Sequence, residues 1–353
     1  MEKRTRLSRP TYAFPRPVAR CVARPSKNTG DVAAFSGRPW CPLTPTMISP
    51  RTLLALLFSL APSALIAAQA YPPSFTDARA EVYKTIGDTK LSLYIFEPPA
   101  SVAKTNRPAI VFFFGGGWTN GSPTQFEQHC RALAARGMVA ITADYRVASR
   151  HQIKPTDCVA DAKSAARWVR ANAARLGIDP ERIAVAGGSA GGYLALMVGL
   201  SDDKTGPGGD PKATVSAKVS AVIDMYGVVN FSKHGKGEVP GASAAEQAAY
   251  LPENQCDPLD PPVLILHGTA DTTVDIQQSK DMATALAKAK ADHEFIIVAG
   301  APHTFDLHPK GSGWTHTALR WPTNGTAICK ETKSDRADLV EPTLAFLVRT
   351  IGK

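Results

Sequence analysis

The residue of this chain best placed to do covalent chemistry is a serine in a glycine-rich turn. The apolar, β-type run Ile183-Ala184-Val185-Ala186 breaks into Gly187-Gly188-Ser189-Ala190-Gly191-Gly192, a Gly-x-Ser-x-Gly turn that leads into helix-forming residues. A serine on a tight strand-to-helix turn has a strained backbone and neighbours that pass very close. Small flanking residues are needed there, and Gly187 and Gly191 supply them. Ser189 is therefore the candidate nucleophile. A Gly-x-Ser-x-Gly also arises by chance, so its weight depends on two further requirements of acyl chemistry: a base with an acid to orient it, and donors for an oxyanion.

Both are present in a workable order. Upstream, Ala109-Ile110-Val111-Phe112-Phe113-Phe114 reads as a buried parallel strand running into Gly115-Gly116-Gly117-Trp118, a loop that exposes backbone N–H groups. Downstream, the apolar strand Pro262-Val263-Leu264-Ile265-Leu266 ends in His267-Gly268-Thr269-Ala270-Asp271, which leaves a carboxylate at its C-terminal edge. One helix later, Glu294-Phe295-Ile296-Ile297-Val298 forms a last strand, and the loop Ala299-Gly300-Ala301-Pro302-His303 puts an imidazole just past its end. Asp271 is the candidate orienting acid and His303 the candidate base.

With these motifs the chain resembles the α/β-hydrolase family, in the esterase/lipase branch related to hormone-sensitive lipase and bacterial carbohydrate acetyl esterases. The resemblance runs from about Ala80 to the C-terminus, and Asp179-Pro180-Glu181-Arg182-Ile183 is similar to the family's entry to the nucleophile strand. It implies an oxyanion hole built from the backbone N–H groups of Gly116, Gly117 and Ala190, with Ser189, Asp271 and His303 as the triad. The family's loop begins His-Gly-Gly-Gly, and Phe114 stands here in place of the histidine, so the loop must be braced in another way. No cofactor is implied.

The elements that must carry these residues follow from the alternation of patterns. Gly87-Asp88 between 80–85 and 90–97 signals an antiparallel hairpin at one sheet edge. Strands at 109–114, 138–143, 183–186, 219–225, 263–266 and 295–298 alternate with helices at 124–136, 156–174, after Ser189, 276–289 and 335–350. This predicts an α/β fold, a mostly parallel doubly wound sheet with an antiparallel N-terminal hairpin. Two segments break the alternation: 230–260, read as a small cap insertion, and 308–333, read as a second insertion rich in Gly, Thr and His. Trp118, Trp314 and Trp321 are candidates for substrate contact, against the plainer reading that a tryptophan is simply packed. Asp161 reads as a helix-face carboxylate, and His267 as a residue that fixes backbone after its strand.

The net charge of +9 would point to an anionic partner if the folded part carried it. Residues 1–46 carry +7 of it and Arg51 one more, which leaves +1 for the chain after Ala70 and removes support for a nucleic-acid partner. The apolar run Arg51–Ala61, too short to span a bilayer, is followed by Ala68-Gln69-Ala70 and reads as a secretory signal. Residues 1–46 then read as an upstream mis-start with Met47 the initiator, 47–70 as signal peptide, and 71–353 as the catalytic domain of a secreted or periplasmic protein without a stable membrane anchor. Export would permit disulfides among Cys130, Cys158, Cys256 and Cys329. Of the three complete pairings, Cys130 with Cys158 and Cys256 with Cys329 join neighbouring elements; free buried thiols are the alternative. Neither the cysteines nor the histidines have metal-site spacing.

The leading expectation is a serine carboxylesterase for short-acyl esters, acetyl above all, of small molecules or of carbohydrate polymers. Its rivals are a prolyl-oligopeptidase-like peptidase, which the lack of an N-terminal propeller pattern disfavours, and an inactive hydrolase fold used for binding, which the intact Ser, Asp and His disfavour.

Overall fold

The apolar runs become the centre of a ten-stranded sheet with order β1-β2-β4-β3-β5-β6-β7-β8-β9-β10. It is seen in a computed structural model that describes residues 71–100, 102–232, 243–307, 315–321, 328–333 and 340–352. The readings on residues 1–70, and Trp314, lie outside the described residues. The strands are β1 (Ala78–Ile86), β2 (Thr89–Phe96), β3 (Arg107–Phe113), β4 (Val139–Ala143), β5 (Ile178–Gly188), β6 (Ala221–Met225), β7 (Val263–Gly268), β8 (His293–Ala299), β9 (Thr315–Trp321) and β10 (Ile328–Lys333). From β4 through β3, β5, β6 and β7 to β8 all pairs are parallel. Parallel strands are covered on both faces, which is why β3 and β4, apolar apart from Arg107 and Thr142, are buried at every position.

The hairpin read at Gly87-Asp88 is the antiparallel β1/β2 pair at one edge. At the other edge the structure corrects the sequence reading of 308–333 as an insertion outside the strand pattern. Residues 315–321 and 328–333 form β9 and β10; β9 pairs antiparallel with β8, and β10 pairs antiparallel with β9 at the sheet edge. Edge strands with mixed polar composition carry little hydrophobic alternation, and only the partner β8 reveals them.

The helices are α1 (Glu127–Ala134), α2 (Ala148–His151), α3 (Pro155–Ala171), α4 (Ala173–Leu176), α5 (Ala190–Leu200), α6 (Ala244–Ala249), α7 (Gln277–Ala289) and α8 (Val340–Ile351). α1 packs beside α8, while α3 packs on α5, so the two pairs cover opposite faces of the sheet. This geometry corrects the suggested disulfides. Cys130 on α1 and Cys158 on α3 are buried free thiols separated by the sheet, far beyond the ~7 Å Cα reach of a disulfide. Cys256 is also free, its Sγ donating to Pro252 O at 3.7 Å. Within the segment read as a cap, residues 233–242 lie outside the described residues; the short 3-10 turn Pro252–Asn254 packs against α5 and α7. Asp161, buried on α3, binds Lys84 Nζ at 2.7 Å and Arg146 Nε at 2.8 Å, a structural ion cluster that ties β1 to α3.

Candidate active site

Ser189 lies between β5 and α5 as the helix N-cap, with φ 56° and ψ −119°, a conformation costly for a residue with a side chain and found where the surroundings over-determine it. Its N–H donates to Met225 O at 2.9 Å, and its carbonyl accepts Tyr193 N–H at 3.1 Å to start the helix. At Gly191 a Cβ would run into the Phe113 carbonyl. Only hydrogen fits between α5 and the end of β3, so glycine at this position sets how closely the serine turn lies against the oxyanion loop.

That loop leaves β3 beside the turn. Gly115 N–H donates to Gln125 Oε1 at 2.6 Å, so among the three loop glycines that amide is already engaged. Gly116 has φ 122°, a conformation that L side chains rarely adopt. Ala190 is the first residue of α5, in the N-terminal turn of a helix, where the dipole favours negative charge. Phe114 takes over the bracing in its own way: its ring stacks on Tyr145 with centroids 4.1 Å apart, and Tyr145 Oη donates to Phe114 O at 2.7 Å. Short α2 adds a staple, with Ala148 N–H donating to Trp118 O at 2.8 Å and Arg150 Nη1 to Gly121 O at 3.0 Å.

Asp271 lies in the turn after β7 with its side chain fully buried. Its Oδ1 accepts the N–H groups of Thr273 and Val274 at 2.8 and 2.9 Å, and its Oδ2 lies 2.6 Å from His303 Nδ1. Burial pushes this carboxyl up, but the hydrogen bonds from His267, His303 and the Val274 amide outweigh it and hold the group well below the usual carboxylate range. An ionised Asp271 can only accept, so the His303 proton resides on Nδ1 and Nε2 keeps its lone pair. The imidazole is partly exposed and rests edge-on against the Tyr226 ring, with centroids 4.7 Å apart. Ser189, Asp271 and His303 thus come from loops after β5, β7 and β8, on the C-terminal side of the parallel strands where open α/β sheets bind ligands.

His267 does more than fix backbone. Its Nε2 lies 2.9 Å from Val274 O and 3.2 Å from Asp271 Oδ2, while Nδ1 meets Ser279 Oγ at 2.7 Å, so it clamps the acid's turn from below. Its position four residues before Asp271 was visible; the contact depends on how the turn folds back. Among the aromatic candidates, Trp118 follows Gly117 directly and packs against Tyr193 and Phe231 with centroids 5.4 and 5.2 Å away. Trp321 is not brought to the site. β9 runs antiparallel to β8 and pairs Trp321 with His293, at the end of β8 remote from His303, about 20 Å of strand away.

The BD-FAE family model matches residues 93–286, more than half of the chain. The chain belongs to this family, within the esterase/lipase branch of the α/β-hydrolases. It is similar to Esterase LipC of Mycobacterium tuberculosis, 29% identical over 225 residues, covering 57% of this chain and 53% of the relative. Carboxylesterase NlhH of the same organism is 40% identical over 123 residues, 34% of this chain and 37% of the relative. The chain spans about half the length of the curated relatives it matches. Among solved structures, Thermogutta terrifontis esterase 2 phosphorylated by paraoxon aligns with TM-score 0.65 and 37% identity, covering 80% of this chain and 97% of that one. The propionate-bound form of the same esterase gives TM-score 0.63 and 42% identity over 69% and 90% of the two chains. The family's α/β-hydrolase fold accounts for the parallel core and its two layers of helices.

Proposed function

We propose that this chain is a serine carboxylesterase that works through an acyl-enzyme and prefers short acyl groups. The observation that carries the reading is the 2.6 Å His303–Asp271 contact, with the His303 ring against Tyr226, whose hydroxyl lies at Gly188 before a serine held at positive φ. His303 Nε2 takes the proton of Ser189 Oγ as the oxygen attacks the ester carbonyl. The oxyanion is met by the N–H groups of Gly116, Gly117 and Ala190, which act where charge develops; each such donor contributes on the order of 3 kcal/mol to the barrier. His303 then gives its proton to the leaving alcohol, and a water deprotonated by the same nitrogen releases the acid and restores Ser189. Asp271 holds the imidazole in the productive tautomer and stabilises the imidazolium.

Short-acyl preference is supported by the aromatic cluster of Trp118, Tyr193 and Phe231 immediately after the oxyanion loop, where a long tail would need open apolar space. The propionate in the Thermogutta terrifontis structure is itself a short acid. Acetylated carbohydrate is the substrate class we favour, with Trp118 as the sugar-facing aromatic. The apolar run before Ala68-Gln69-Ala70 supports export, with Tyr71 the first residue of the exported form.

One preparation tests these points together: secreted protein, sequenced from its N-terminus, assayed on p-nitrophenyl esters from acetate to laurate and on acetylated xylan, beside Ser189→Ala. A pocket that accepts each added methylene gains about 0.8 kcal/mol per step, so kcat/KM would climb with chain length. We expect a maximum at four carbons or fewer and no turnover by Ser189→Ala. A maximum at octanoate or beyond overturns the short-acyl reading, and an active Ser189→Ala overturns the mechanism. Acetate preference without release from xylan removes the carbohydrate part, and secreted protein that retains residues 1–46 removes the cleavage.

A further inference from the structure

Behind the candidate triad runs a second set of polar contacts that the mechanism does not use. Gln125, in the short 3-10 turn Pro123–Phe126, accepts Gly115 N–H on Oε1 at 2.6 Å. That contact makes Oε1 the acceptor end of the amide, so its NH2 group is the end that acts as donor toward the buried Tyr226 hydroxyl. With a donor already aimed at its oxygen, Tyr226 Oη gives its own proton to Asp306 Oδ1. Asp306 sits three residues past His303, and its Oδ2 faces His129 Nε2 at 3.3 Å. Gly115 N–H and Tyr226 O–H thus each have a fixed acceptor, Gln125 Oε1 and Asp306 Oδ1.

The series connects the two halves of the site. Gly115 begins the oxyanion loop after β3; Asp306 lies in the turn that continues the His303 loop after β8. Tyr226 stands between them at the end of β6, fully buried, in a positive-φ conformation of 46° that a tyrosine adopts only under constraint. Its ring packs edge-on against both His303 and Phe305, with centroids 4.7 and 5.6 Å away. Its hydroxyl also abuts the residue before the serine: a Cβ on Gly188 would sit 2.8 Å from Tyr226 Oη. One side chain thus touches the serine turn, the base loop and, through Gln125, the oxyanion loop.

We propose that Gln125, Tyr226 and Asp306 are positioning residues that lock the oxyanion loop and the His303 loop into one register for acyl transfer. The proposal rests on the esterase reading above. Tyr226 touches the ring of the base, and the three act by holding Gly115 and His303 at a fixed separation. Misplacement of either loop weakens transition-state contacts that the ground state does not make, so the loss should fall on kcat and leave KM nearly unchanged. Groups that act as a single unit also give non-additive losses.

The test uses the full chain with p-nitrophenyl acetate as substrate and paraoxon to count reactive serines by released nitrophenolate. For Tyr226→Phe, which keeps the ring on His303 and removes only the hydroxyl, we expect kcat to fall about tenfold, KM to stay within twofold, and paraoxon still to label one serine per chain. Adding Asp306→Asn to Tyr226→Phe should cost little more than the worse single change. If Tyr226→Phe does not fold, Gln125→Met should show the same split between kcat and KM. A folded Tyr226→Phe or Gln125→Met with kcat within twofold of the wild type overturns the proposal, as does a double variant whose losses multiply. A wild type that neither turns over ester nor takes up the phosphoryl group removes the esterase reading and the brace with it, a result distinct from an active wild type indifferent to Tyr226→Phe.

Discussion

Gly115→Ala offers a direct measure of how tightly the oxyanion loop and the serine turn are fitted. A Cβ at Gly115 would lie 2.9 Å from Gly188 O and 3.2 Å from Ser189 Cβ, with Gln125 Oε1 at 3.4 Å. Ordinary carbon–carbon contacts need about 3.5–4.0 Å, so the loop and the turn must separate by roughly half an ångström. Neither side is a flexible side-chain tip: one is the strained backbone of the serine turn, the other a loop stapled by Gln125, Tyr145 and α2. A misplacement of about 1 Å costs on the order of 100-fold in rate, so half of it costs about tenfold, or about 1.4 kcal/mol of barrier. Steady-state kinetics on p-nitrophenyl acetate should therefore show kcat reduced about tenfold with KM little changed, and overpacking should cost about 1–3 kcal/mol of stability. Gly87→Ala is the control. Gly87 has φ 55° with no atom within 4 Å of a Cβ, so alanine there costs about 1–2 kcal/mol of backbone strain at the hairpin and should leave kcat untouched. A folded Gly115→Ala with kcat within twofold of the wild type would refute the close-fit argument, because the gap would then have opened without moving Ser189.

Two further outcomes are expected. His267→Phe keeps a ring in the buried slot but removes the contacts to Asp271, Val274 and Ser279, so kcat should drop roughly tenfold with KM unchanged, as for loss of a hydrogen bond to a charged group; an unaltered kcat would confine His267 to stability. Asp224 is fully buried beneath Gly192 and Gly227, accepts Gly227 N–H at 2.9 Å, and burial pushes its carboxyl up to about 7. The unfolded chain ionises the same group near pH 4, so the folded wild type loses stability as pH rises from about 4 to about 7, by up to roughly 4 kcal/mol, and no more above that. Asp224→Asn cannot titrate. Its stability relative to wild type, from urea unfolding at pH 4 to 8, should rise by an amount of that order across this window, and a difference that stays flat would show that Asp224 ionises normally in the fold.

Much of the fold was legible in the sequence because its determinants are local. Uninterrupted apolar runs such as 109–114 and 263–266 can only be strands buried on both faces, and glycines at 187 and 191 around Ser189 mark a turn that no bulkier residue could make. Ser189, Asp271 and His303 could be nominated for the same reason: each sits just past the end of a readable strand, and parallel topology puts those ends on one side of the sheet. Other features were decided only by packing across the sheet. Edge strands β9 and β10 have no strong pattern of their own and exist by pairing, β9 with β8 and β10 with β9, and the β8 pairing puts Trp321 at the wrong end of the strand for the site. Cys130 and Cys158 are close in sequence yet on opposite faces, because the helices that carry them follow successive strands on different sides. Gln125, Tyr226 and Asp306 lie on three separate elements with nothing in their spacing to relate them. Their contacts are set by where β3, β6 and β8 end in space, a long-range property that no window of sequence contains.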